Sequence, residues 1–141
     1  MEKIILGFFI FAFAGIGMEI IFTSLKKCVH SVLLGKKVDW ALLGYSPFWM
    51  IFIYGSAIFL FPPVYKLLTN YNWFIRALIY GILILIVEFI SGYIIKLLVG
   101  KIPWHYKSKW AINGFVRLDY LPFWMVAGMA IEFVYRLMIL K

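Results

Sequence analysis

Glu19, Glu88 and Glu132 are three of the six acidic residues in this chain, and each falls inside a long apolar run. A charged side chain at a bilayer centre costs about 2.5–3.5 kcal/mol on insertion scales. Such carboxylates therefore face a protein interior or a wet cavity, where they bind a cation, carry a proton or join helices. Clustered in a low dielectric they cannot all stay ionised, so at least one is expected to be protonated or paired with a cation. Arg136 follows Glu132 by four residues, a favourable helical pair that gives Glu132 a structural role. Glu19 and Glu88 have no basic residue within one turn. They are the stronger candidates for a proton, ion or substrate site.

Other chemistry is sparse. Cys28, His30 and His105 lack the ligand spacing of a zinc site. No nucleotide loop, nucleophile elbow or zinc-protease motif occurs. No catalytic residue, metal or cofactor is assigned, and an ATPase driving this chain would be a separate protein. The single cysteine excludes an intrachain disulfide.

The elements that position the glutamates follow from composition. Of 141 residues, 65% are hydrophobic and 14% charged, against about 25% charged in a soluble domain. Lipid must be the solvent. The chain reads as one transmembrane domain, 1–141: an all-α membrane protein of four spans, forming a four-helix bundle. A span needs about 20 apolar residues, which places the four at 4–25, 47–65, 73–99 and 120–140. The first is read as an uncleaved span rather than a signal peptide. Lys26-Lys27 should end it, and Pro62-Pro63 should break or kink the last turn of the second.

Helical rise puts Glu19 about 10 Å below Lys26, Glu88 about 12 Å below Lys96, and Glu132 about 15 Å from Pro122. All three are expected to converge at one depth, lining a central polar site. Ala12, Gly15, Glu19 and Thr23 form one helical stripe, and Gly81, Glu88 and Gly92 another. Small residues there permit close helix packing in lipid.

The formal charge is +8, but the basic residues sit mostly in short connections. That favours the lipid bilayer and its anionic headgroups as partners, with no nucleic acid. Nine Lys/Arg on the side of the two long loops face five on the other side. The imbalance puts both loops in the cytoplasm and both termini outside, in a bacterial plasma membrane. Trp40, Trp104 and Trp110 make the loops too apolar for free solvent, so they should lie at the lipid interface as short interfacial or re-entrant segments.

The sequence also repeats. Trp40-Ala41-Leu42-Leu43-Gly44-Tyr45-Ser46-Pro47-Phe48-Trp49-Met50 returns as Trp110-Ala111-Ile112-Asn113-Gly114, an insertion, then Tyr120-Leu121-Pro122-Phe123-Trp124-Met125. Glu19-Ile20-Ile21 parallels Glu88-Phe89-Ile90. Two tandem two-helix repeats, about 4–65 and about 73–140, are expected, related by a pseudo-twofold along the membrane normal.

Glu88, Gly92, Gly100, Trp104-His105-Tyr106, Asn113-Gly114 and Trp124 are the residues by which the second half resembles the putative ABC-transporter type IV family, the CmpB-like small membrane proteins. The resemblance covers about a third of the chain closely and the rest by hydropathy. That family usually has an aspartate where His105 stands, and its name implies transport. Trp104, His105, Tyr106 and Asn113 join the three glutamates as substrate- or ion-binding candidates. The leading expectation is a small permease, channel or transporter subunit, acting as a homodimer or with a separate transporter subunit. Its alternatives are an integral membrane enzyme acting on a lipid, with Glu88 and His105 as acid and base, and a non-catalytic membrane scaffold or regulatory subunit.

Overall fold

Asn72 begins the most regular helix of the chain: its side chain accepts a hydrogen bond from the Ile75 amide at 2.9 Å, satisfying one of the unpaired donors of a first turn. That helix, α4, runs over Trp73–Val99 and stops at Gly100, whose φ of +75° gives the left-handed cap glycine adopts freely. The structure is a computed structural model and describes residues 2–101 and 104–139. Met1, Lys141 and the expected end of the fourth span at 140 lie outside the described residues.

Among the described residues five α-helices carry the fold: α1 (Glu2–Leu33), α2 (Met50–Gly55), α3 (Ala57–Leu68), α4 and α5 (Leu121–Ile139). A two-residue hairpin, β1 (Ala111–Ile112) with β2 (Val116–Arg117), and a 3₁₀ turn over Leu118–Tyr120 lie between α4 and α5. Four stretches are long and apolar enough to cross a membrane: α1, α2 with α3 (Met50–Leu68), α4, and Leu118–Met138. Only 17–22% of each apolar window is buried. Helices with that much apolar surface left outside are solvated by lipid, so this is an integral membrane protein of four spans.

Two boundaries differ from expectation. The first helix passes through Lys26 and Lys27 and ends at Leu33. Lysine is a good helix former; it marks where a span leaves the hydrocarbon, not where hydrogen bonding stops. At 32 residues α1 is about 48 Å long, well beyond the hydrocarbon thickness of about 30 Å. The second span breaks at Ser56 and not at the prolines, which lie inside α3. Ser56 donates its hydroxyl to the Ile53 carbonyl at 2.7 Å, satisfying an acceptor at the break.

The chain forms two compact units, 1–59 and 60–141, with the boundary inside α3. In the first, α1 packs on α2 through glycines. A Cβ on Gly15 would stand 2.3 Å from the Tyr54 ring, and one on Gly55 would stand 2.5 Å from the Phe8 ring. In the second, α4 packs on α5, with Gly81 against Met125 and Gly128 against Tyr80. Phe61, Leu68 and Tyr80 form its buried core, with Tyr65 and Tyr135 packed around them.

Candidate functional site

The carboxylates divide by what solvates them. Glu19, half-buried on α1, accepts hydrogen bonds on one oxygen from Ser46 Oγ at 2.7 Å and Tyr54 OH at 3.1 Å. Among the described residues no basic side chain pairs with it. Ser46 arrives because the 34–49 connection turns back along α1. Thr23 accepts from the Tyr45 amide at 3.0 Å and donates to the Tyr45 carbonyl at 3.2 Å, while Lys27 donates to the Leu43 carbonyl at 2.9 Å. Gly44 then lies so close to α1 that a Cβ there would meet the Ile20 carbonyl oxygen at 2.1 Å.

Glu88 is 7% exposed on α4 and accepts from Tyr106 OH at 2.8 Å. Its cover is the 104–120 segment. Phe115, at the end of the hairpin turn, sits on Gly92, where a Cβ would come within 3.0 Å of the ring. Trp104 donates its indole N–H to the Phe115 carbonyl at 2.8 Å, tying the start of the segment to the hairpin turn. Toward the surface the Tyr106 ring packs edge-on against Tyr120 at 5.6 Å, and Arg117 donates to Tyr120 OH at 3.0 Å. Arg117 is also paired with Asp119, whose carboxylate raises the guanidinium above its ordinary pKa.

Glu132 behaves differently. It is 2% exposed and paired with Arg76 at 3.3 Å, and it accepts from Tyr80 OH at 3.0 Å. The expected pairing with Arg136 is corrected by this geometry: Arg136 is exposed, and Glu132 turns into the α4–α5 interface. Convergence at one depth fails for the same reason. Arg76 precedes Glu88 by twelve residues on α4, about 18 Å of rise, and Tyr80 precedes it by eight, about 12 Å. Glu132 therefore forms an ion pair with Arg76, away from Glu88 along α4.

Tyr106 is thus the residue of the Trp104-His105-Tyr106 run that reaches a carboxylate. His105 is exposed, and its ring lies over Gly114, where a Cβ would meet it at 2.5 Å. Glu88 thus meets Tyr106, while His105, the second acid–base candidate of the alternative enzyme reading, lies against Gly114. Asn113 supplies the turn: with Gly114 it takes positive φ, 51° and 76°, and the Phe115 amide closes back on the Ile112 carbonyl at 3.0 Å. Positive φ at both central residues is what tight hairpin turns require, and Asn-Gly is their strongest sequence signal. Sequence reasoning missed Ser46, Tyr54, Arg76 and Tyr80. Only Arg76 carried a visible signal, as a cation in the first turn of a membrane helix.

A family model described as putative ABC-transporter type IV matches residues 6–141. The chain belongs to that family. The match extends over both units, well beyond the third of the chain in which the resemblance was closest. No solved structure matches the chain. Membership of an ABC-transporter-type family, with four apolar spans, makes this a small membrane protein of transport type.

Proposed function

We propose that the chain is a membrane-embedded transport component in which Glu19 and Glu88 are the cation- or proton-binding groups. The observation that carries this reading is the contrast between two of the carboxylates: Glu132 meets a guanidinium, whereas Glu19 is held by two hydroxyls and, among the described residues, no basic side chain. Hydroxyl donors solvate a carboxylate only in part, and an ionised carboxylate in a low-dielectric site needs a compensating charge. A proton or a cation supplies it. Each site is roofed by the connection that follows its helix, so a small motion of that loop would open it.

On this reading, residues about 4–65 and about 73–140 are copies of one ancestral helix pair. Support comes from lysine–ring contacts at the same spacing after each glutamate: Lys27 Nζ lies 5.2 Å from the Tyr45 ring centre, and Lys96 Nζ lies 5.7 Å from that of Phe115, the first residue of the insertion. Both lysines stand eight residues after the glutamate, and both rings follow the glycine of the repeated Trp-Ala block. Energy coupling would come from another chain, and the working form is a homodimer or a complex with a partner subunit in a bacterial plasma membrane.

The test is flux of protons, sodium and potassium into proteoliposomes carrying the protein with Glu19→Gln or Glu88→Gln. Gln keeps shape and hydrogen-bonding reach but fixes the group neutral. Loss of flux with an intact fold supports the reading. Full wild-type flux in both Gln variants would reduce the carboxylates to helix glue.

A further inference from the structure

Lys96 stands at the end of α4 in a situation its counterpart Lys27 does not share. The Lys27 ammonium is fixed by the Leu43 carbonyl at 2.9 Å. Lys96 has no hydrogen-bond or carboxylate partner among the described residues, and only the Phe115 ring face lies under it. Beside it opens a groove of about 440 Å³ lined by Phe89, Tyr93, Lys96, Asn113 and Phe115.

We propose that this groove binds the phosphodiester headgroup of an anionic phospholipid, independently of the transport reading. The headgroup end is set by charge and position. Lys96 lies in the last turn of a spanning helix, where the hydrocarbon gives way to headgroups, and Lys101 and Lys107 follow on the connection. Asn113, exposed at the hairpin turn, brings an amide donor to the same groove. The acyl end is set by the helix face. Phe89 and Tyr93 continue down α4 as Ile86 and Ile82, spaced at three and four residues and exposed at 47% and 43%. A ligand with one phosphate charge and a long apolar chain matches both ends. Free phosphate matches only the first, and a zwitterionic lipid adds to the same phosphate a cation that the neighbouring lysines repel.

The site lies on the outer face of α4, whereas Glu88, Gly92 and Ile95 turn inward. Binding and flux can therefore fail separately.

The experiment is native mass spectrometry of the full chain released from detergent, titrated with phosphatidylglycerol or phosphatidylcholine. The wild type should hold one phosphatidylglycerol at least tenfold more tightly than phosphatidylcholine. Lys96→Gln should abolish that preference, and Lys96→Arg should keep it. Asn113→Asp, which tolerates the same backbone angle, should weaken phosphatidylglycerol alone. Lys109→Gln, whose lysine stacks on Trp110 outside the groove, should change nothing. Equal binding of the two lipids by the wild type, or an unchanged preference in both Lys96→Gln and Asn113→Asp, overturns the proposal. Displacement of the lipid by millimolar inorganic phosphate overturns the lipid assignment in favour of a free-anion site. If Lys96→Gln fails to fold, Asn113→Asp alone decides.

Discussion

A carboxylate facing a guanidinium and one facing two hydroxyls respond differently to the same substitution. Glu132→Gln leaves Arg76 largely buried with its charge uncompensated, and breaking a buried pair in this way costs about 3–5 kcal/mol. Replacing both with methionine removes the charge along with its partner and should cost much less. Denaturation in graded mixtures of mild and harsh detergent would measure this, and equal losses in the single and double variants would contradict it. Glu19→Gln, in contrast, should leave stability nearly unchanged, because Ser46 and Tyr54 still have an amide oxygen to donate to. Residue chemistry of this kind was only half legible from the sequence. Three glutamates in apolar runs announced themselves, but sequence shows neighbours four residues away and hides those 56 away. Glu132 was therefore matched to Arg136 although its partner is Arg76.

At the scale of elements, glycines decide what can approach what. Gly15 and Gly17 lie two residues apart on α1, yet a Cβ on Gly15 runs into Tyr54 and one on Gly17 meets nothing within 4 Å. Gly15→Ala should therefore push α2 away and draw Tyr54 from Glu19, while Gly17→Ala should be neutral or stabilise the helix by up to about 1 kcal/mol. The same detergent unfolding assay would read both, and similar effects at the two positions would refute the packing. Gly114 is the corresponding pivot of the second loop. Alanine there meets both the left-handed backbone, which costs about 1–2 kcal/mol, and the His105 ring. Gly114→Ala should loosen Tyr106 from Glu88 and speed amide exchange across 104–118, whereas Asn113→Gly, which keeps a positive φ available, should not. Unchanged exchange in Gly114→Ala would mean that the turn does not hold the roof. Helix positions were legible because apolar runs are long. The hairpin was not read from the sequence, although Asn113-Gly114 is its signal, because a four-residue sheet is masked by the hydropathy around it. The ends of α1 and the break at Ser56 were not legible, since both depend on local hydrogen bonding that hydropathy does not report.

For the whole molecule, four spans impose a parity that can be tested. The 34–49 connection and the 100–120 connection are separated by two crossings, Met50–Leu68 and α4. Both connections must therefore lie on one face of the membrane if each of those segments crosses once. From the excess of lysine and arginine on these connections we propose that this face is the cytoplasmic one. With Cys28 replaced by serine, cysteines introduced at Lys36 and at Lys107 should resist a membrane-impermeant maleimide in intact cells, and both should react in inverted vesicles. Reaction of the two from opposite faces would show that Met50–Leu68, only about 28 Å long and interrupted at Ser56, enters the bilayer without crossing it. Reaction of both from outside would keep the parity and reverse the orientation. In that case the loops over Glu19 and Glu88 would open to the exterior, and a bound ion or proton would be drawn from that side.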